Sequence, residues 1–175
     1  MNRRKQGSLV IGAIFSLSMI MSDVIAEQSS VERQAFQIAH KYLLTDTHID
    51  VPYRLHSGWV DVTVSAPDGQ FDYPRAAEGG LDLPFMSIYT PAEMEEEGGS
   101  YELANQLIDS VEAIAARAPD KFTLVRSVED AKKAKQSGRI GLAMGMENGS
   151  PIDHKIENIQ FFADRGIRYI TLTHG

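Results

Sequence analysis

The chain has 175 residues and no cysteine, and its 17 Lys and Arg against 24 Asp and Glu leave a net charge of −7. With 43% hydrophobic and 23% charged residues it has the composition of a globular protein, not of a disordered or fibrous one. The acidic balance argues against a nucleic-acid partner, because phosphate binding needs a concentrated basic face. The absence of cysteine means that disulfides do not stabilise the fold.

The first 26 residues have the pattern of a secretory signal peptide. Three basic residues at positions 3–5 precede an apolar run over residues 9–22, and Val24, Ile25 and Ala26 offer a cleavage site. The apolar run is shorter than the roughly 20 residues that cross a bilayer; an uncleaved N-terminal anchor is the alternative. We expect residues 1–26 to be removed and residues 27–175 to form the domain. The mature protein would then be exported, to a bacterial periplasm or the medium, without a stable membrane span.

After this segment the pattern predicts a helix over residues 30–42 and a strand over residues 43–50. Residues 56–80 are rich in glycine and proline and predict a long loop, of the kind that often forms part of an active-site rim.

From residue 81 onward, apolar strands alternate with helices. The predicted strands are 81–89, 122–125, 140–146 and 167–173, and the predicted helices are 100–118, 127–138 and 153–165. The strands are uniformly apolar, which is typical of parallel strands buried on both faces with helices outside. Such a sheet is either doubly wound or part of a barrel. The sequence contains no glycine-rich phosphate fingerprint, which disfavours a nucleotide-binding fold.

Polar residues close three of the predicted strands. They are His48 and Asp50, Glu147 and Asn148, and Thr173 and His174. Barrels and doubly wound sheets both place their functional groups at the carboxyl ends of the strands. This feature therefore predicts a functional site but does not distinguish between the two folds.

The residue types at these ends favour a metal. His48 and Asp50 are two residues apart on a strand, so their side chains point to the same face and can offer zinc a nitrogen and an oxygen. Glu147 follows a wholly apolar segment, and a buried carboxylate needs a positive partner. That partner is a metal or a basic side chain, unless Glu147 reaches solvent. His174 comes about one βα unit later, so it could occupy the equivalent place on the next strand.

Four segments occur in an order and spacing that resemble the membrane (renal) dipeptidase family of zinc metallopeptidases. They are Thr45–Pro52, Gly79–Tyr89, Gly145–Gly149 and Arg168–His174. The resemblance covers residues 43–175. It implies an α/β fold, namely the N-terminal half of a TIM-type (β/α)8 barrel, truncated after about the fourth strand.

The resemblance also implies an activity, the zinc-dependent hydrolysis of dipeptides by a metal-bound hydroxide at a binuclear site. His48 and Asp50 would hold one zinc ion, and Glu147 would bridge both ions and so position the hydroxide. His174 would contact the substrate and help to stabilise the tetrahedral intermediate. The full-length enzyme could form a homodimer.

The family has two further histidine ligands and a proton-handling acid, which would lie beyond Gly175. This chain would therefore carry only part of the site, and we expect residues 27–175 alone to have negligible activity. One alternative is another binuclear amidohydrolase-type hydrolase, which the His-x-Asp pair disfavours because those enzymes more often begin with His-x-His. The other alternative is a non-catalytic truncated product.

Overall fold

The computed structural model describes residues 29–172 of the chain. The described residues divide into two units between Lys41 and Tyr42. In the first unit, residues 29–41 are helical, which confirms the predicted helix. The predicted signal peptide and His174 lie outside the described residues. Between residues 29 and 172, no helix is both long and apolar enough to cross a membrane.

The second unit alternates strands and helices. Its strands are β1 (Leu44–Ile49), β2 (Leu81–Tyr89), β3 (Phe122–Leu124), β4 (Ile140–Glu147) and β5 (Ile167–Thr171). Its helices are α1 (Val51–Ser57), α2 (Tyr73–Glu78), α3 (Met94–Glu97), α4 (Ser100–Arg117), α5 (Val128–Gln136) and α6 (Glu157–Arg165), with a 3₁₀ turn at Ser150–Ile152.

All the strand pairs are parallel. β2 lies between β1 and β4, and β4 also pairs with β3 through its first three residues and with β5 through its second half. The carboxyl ends of β1, β2 and β4 therefore meet at one end of the sheet. This is the end that the sequence predicted to carry the site.

β4 is the centre of the fold and is buried along its whole length. Its even-numbered side chains, Leu142, Met144 and Met146, belong to one apolar cluster with the buried face of α4. By alternation, Gly145 and Glu147 face the opposite side of the sheet. Burial on both faces, predicted for the strands from residue 81 onward, is wrong in part for β5, which is partly exposed. β1 is exposed along nearly its whole length. Within the described residues it pairs only with β2, so its outer edge has no neighbouring strand.

The sheet is strongly curved. On a flat sheet, β5 and β1 would be three strand spacings apart, about 14 Å at about 4.8 Å per spacing. Yet the hydroxyl of Tyr169 on β5 donates a hydrogen bond of 2.9 Å to the carbonyl oxygen of Thr47 on β1. A tyrosine side chain is too short to cross a flat sheet over that distance, so the strands must curl toward one another. That curvature is typical of a barrel wall and not of an open doubly wound sheet.

Two element predictions were wrong in part. α1 follows the predicted strand directly and α2 lies inside residues 56–80, which were predicted as a loop. Pro52 and Pro74 stand in the first turn of these helices, where proline is tolerated. α6 begins at Glu157 rather than at residue 153. Asp153 and His154 have φ values of 54° and 53°, and this left-handed backbone cannot continue a right-handed helix.

Asp72 organises the segment between α1 and α2. Its carboxylate caps α2 by accepting from the Arg75 amide at 2.9 Å, and it also accepts from the Ala66 amide at 2.9 Å. The Arg75 guanidinium donates to the same carboxylate at 2.9 Å and to the carbonyl oxygens of Ala66 and Gly69 at 3.0 and 2.7 Å. Burial alone would raise the pKa of Asp72, but these donors outweigh it and hold the pKa below its ordinary value of 3.8.

Asp72→Asn is expected to remove an acid-sensitive part of the stability. Because the folded pKa lies below the unfolded one, the ionised carboxylate stabilises the fold fully above the unfolded pKa, and this contribution is lost as the pH falls through the folded pKa. Urea unfolding of both proteins between about pH 6 and pH 2 measures it. The difference in unfolding free energy should shrink as the pH falls, whereas a constant difference would contradict the assignment.

Candidate metal centre

Three side chains converge where β1 and β4 end. His48 is the next-to-last residue of β1, Asp50 precedes α1, and Glu147 is the last residue of β4. The Nε2 atom of His48 lies 3.2 Å from Oδ1 of Asp50 and 3.0 Å from Oε2 of Glu147. One nitrogen and two carboxylate oxygens therefore face a common point, although they come from strands almost 100 residues apart along the chain.

A hydrogen bond from Ser87 holds the carboxylate of Glu147 in place. The Ser87 hydroxyl on β2 donates a hydrogen bond of 2.8 Å to Oε2 of Glu147, and Ser87 is completely buried. The strand register makes this contact possible, because Ser87 pairs with Gly145 and Tyr89 with Glu147. Glu147 itself is only 7% exposed, so its carboxylate is fixed before any ligand arrives.

The turn after β4 is fixed by Asn148. This residue has a φ of 70°, in the left-handed region that asparagine adopts more readily than most residues. Its side-chain oxygen accepts from the Thr90 hydroxyl at 3.2 Å and from the Ser150 amide at 2.9 Å, and its amide nitrogen donates to the Thr90 carbonyl at 2.6 Å. These bonds join the ends of β2 and β4 directly beside Glu147.

A cavity of about 370 Å³ opens beside the cluster, lined by Asp50, Tyr53, Tyr89 and Glu147. The rings of Tyr53 and Tyr89 meet edge to face, with centroids 5.0 Å apart. Burial, followed by the nearby Tyr53 and acidic groups that include Glu147 and Asp50, raises the pKa of Tyr89 above 10.0. Its phenol therefore keeps its proton at neutral pH. The cavity combines two carboxylates with aromatic walls and is open to a small polar molecule.

The donor set fits a zinc-type divalent cation. One possible ligand atom from each of His48, Asp50 and Glu147 lies within 4.8 Å of the others. Zinc takes imidazole nitrogen and carboxylate oxygen in its catalytic sites. Two carboxylates this close to one another, one of them buried, are stabilised by a positive charge placed between them. The three residues that the sequence selected thus form a donor set suited to a divalent cation.

The structure adds residues that sequence reasoning missed. Ser87, Tyr53, Tyr89 and Tyr169 all lie within or against the cluster. Ser87 offered a signal, because it is a polar residue inside the apolar β2. Tyr89 and Tyr169 on strands and Tyr53 on α1 offered none, because an aromatic residue in a regular element usually belongs to the core. His40, His56 and His154 are exposed.

Comparison with known proteins agrees with this picture. The chain is 31% identical to the dipeptidase aclJ of Aspergillus oryzae over 113 residues, which are 61% of this chain and 27% of that one. The probable dipeptidase PvdM of Pseudomonas aeruginosa shares its fold with a TM-score of 0.67 at 21% identity, over 81% of this chain and 38% of that one.

A metallo peptidase of Rhodobacter sphaeroides, solved with a phosphinate mimic of the dipeptide L-Ala-D-Ala, gives a TM-score of 0.63 at 18% identity, over 73% of this chain and 44% of that one. These likenesses confirm the predicted α/β fold class, and the chain spans only 27% to 44% of the lengths of these proteins. The family model of the membrane dipeptidases, peptidase family M19, matches residues 32–175. The chain belongs to the membrane dipeptidase family.

Proposed function

We propose that the protein hydrolyses dipeptides with zinc at a binuclear site, of which this chain carries the first part. The observation that carries the proposal is the convergence of His48, Asp50 and Glu147 at the carboxyl end of the sheet. Membership of the membrane dipeptidase family supports it. The Rhodobacter neighbour, which binds a dipeptide mimic, supports the substrate class.

In this proposal His48 and Asp50 would hold one zinc ion, and Glu147 would serve as a ligand common to two. Zinc, when bound, would supply a Lewis acid and lower the pKa of a water molecule toward neutrality. The chain's own residues supply the positioning. Ser87 fixes the oxygen of Glu147 that faces His48. Asn148 holds the backbone beside that carboxylate against Thr90.

The cavity beside the cluster would receive the dipeptide. Its volume of about 370 Å³ suits a molecule of that size, and its walls are the rings of Tyr53 and Tyr89. Because the Tyr89 phenol stays protonated, it can donate a hydrogen bond to an oxygen of the substrate. His174 would contact the substrate from the segment after β5.

The test uses the full-length protein, stripped of metal with a chelator and then reloaded with zinc. Hydrolysis is measured for a panel of free dipeptides, including L-Ala-D-Ala, and for a matched panel of N-acyl amino acids. We expect the zinc-loaded protein to cleave dipeptides, the stripped protein to be inactive, and zinc to restore activity. Cleavage of N-acyl amino acids with dipeptides spared would favour an amidohydrolase-type deacylase. Activity that survives metal removal would refute the metal site.

A further inference from the structure

Tyr169 on β5 reaches the metal-binding histidine from the opposite side of the cluster. Its hydroxyl oxygen lies 2.9 Å from the carbonyl oxygen of Thr47 and 3.5 Å from Nδ1 of His48. Its ring packs against Phe85, with centroids 5.6 Å apart. The phenol therefore contacts the edge of His48 that faces away from Asp50 and Glu147.

The hydrogen-bonding capacity of these groups determines where the protons lie. A phenol has one proton, and a backbone carbonyl can only accept. The Tyr169 hydroxyl therefore donates its one proton to the carbonyl oxygen of Thr47. Toward His48, the hydroxyl oxygen of Tyr169 can then only accept a hydrogen bond. The matching arrangement places a hydrogen on Nδ1 of His48. A cation bound at Nε2 would use the lone pair of that atom, so the remaining ring proton would lie on Nδ1 and face Tyr169. Without a cation, Nε2 lies within hydrogen-bonding distance of the carboxylate oxygens of Asp50 and Glu147, at 3.2 and 3.0 Å.

We propose that Tyr169 is a positioning residue that holds His48 in the Nδ1–H tautomer, with Nε2 ready to bind the cation. The proposal rests on the metal site proposed above. A histidine that binds a metal generally donates its second ring N–H to an acceptor, which fixes both tautomer and ring orientation. Here the acceptor is the hydroxyl oxygen of Tyr169, because the proton of that hydroxyl is donated to the carbonyl oxygen of Thr47.

Gly145 makes this arrangement possible. It lies on the same face of β4 as Glu147, under the ring of Tyr169. A Cβ atom at position 145 would overlap the ring carbons and would lie 2.5 Å from the Tyr169 hydroxyl oxygen. Any side chain there would therefore displace Tyr169 from His48. The absence of a side chain at Gly145 leaves the space in which the Tyr169 side chain extends from β5 toward Thr47 on β1.

The test compares full-length wild type with Tyr169→Phe, which keeps the ring and removes only the hydroxyl. Zinc affinity is measured by competition with a chromophoric chelator. The Nδ1-bound proton of His48 is observed by ¹H–¹⁵N NMR in the zinc-loaded protein. We expect Tyr169→Phe to weaken zinc binding by about 10- to 100-fold, the usual effect of losing such a partner. The Nδ1–H resonance should broaden through exchange with water.

Three further variants separate the possible causes. Tyr42→Phe removes the hydroxyl of an exposed tyrosine and should change neither measurement. Gly145→Ala should weaken zinc binding as Tyr169→Phe does, through displacement of the ring. Gly58→Ala is its matched control, because a Cβ at position 58 meets no atom within 4 Å.

The outcomes distinguish this inference from the function on which it depends. If wild type binds no zinc, or binds it equally well after His48→Ala, the proposed metal site itself is wrong. If zinc binding depends on His48 but Tyr169→Phe leaves both the affinity and the Nδ1–H resonance unchanged, only the role of Tyr169 is refuted. A Tyr169→Phe protein with weakened binding, a lowered melting temperature without metal and an unchanged resonance would show a merely structural role, which also refutes it.

Discussion

Glu147→Gln is expected to abolish zinc binding and dipeptide hydrolysis while leaving the fold intact. The substitution keeps the shape of the side chain and an oxygen that can accept from Ser87, whose hydroxyl now lies 2.8 Å from Oε2. It removes the negative charge that lies 3.0 Å from Nε2 of His48 and that would bridge the two cations. Zinc affinity should therefore fall by more than the roughly 100-fold that the loss of a hydrogen-bonding partner costs.

Calorimetric titration of the full-length protein with zinc, together with initial rates on a dipeptide, measures this effect. The metal-free melting temperature should stay close to that of wild type, because one buried charge beside Asp50 is removed and no volume is lost. Glu97→Gln is the matched control, since Glu97 is exposed at the end of α3 and should tolerate the change. A Glu147→Gln protein that binds zinc and turns over like wild type would disprove the bridging role.

Phe162→Ala should strongly lower the stability of the fold. Phe162 on α6 is completely buried, and its ring packs against Tyr101 on α4 and its neighbour Phe161, at centroid distances of 5.4 and 5.1 Å. Truncating a buried phenylalanine removes apolar contact and leaves a cavity, at a cost of about 3–5 kcal/mol. A typical domain has only about 5–15 kcal/mol in total, so a large fraction of the stability would be lost.

Urea or thermal unfolding of wild type and variant, followed by circular dichroism, measures the loss. Phe161→Ala provides a matched control, because Phe161 is 38% exposed. Its truncation should lower the free energy of unfolding by clearly less than that of Phe162. Phe162 lies away from the cluster at the ends of β1 and β4, so the fraction of Phe162→Ala that remains folded should bind zinc with unchanged affinity. Equal destabilisation by the two alanine variants would contradict the assigned packing.

The regular elements could largely be predicted from residue pattern. β2 has the bounds Leu81–Tyr89 that its apolar run predicted, and α4 ends at Arg117, one residue before the predicted end and directly ahead of Ala118 and Pro119. Ser127 caps α5 by accepting from the Asp130 amide, at the start of the helix predicted over residues 127–138. These features are local, since burial periodicity and capping act within a few residues. α1 and α2 were missed because proline both ends and begins elements, and only the surrounding chain decides which.

The sequence by itself determined the chemistry of the candidate site, because His48, Asp50 and Glu147 stand at the ends of apolar strands whose parallel pairing brings such ends together. Tertiary structure alone decided what surrounds them. The bond from Ser87 to Glu147 spans 60 positions and the bond from Tyr169 to Thr47 spans 122. Both depend on strand register and on the curvature of the sheet, and in the second case on the space left by Gly145. Such long-range contacts leave no periodic trace in the residues that make them, so only the folded chain reveals them.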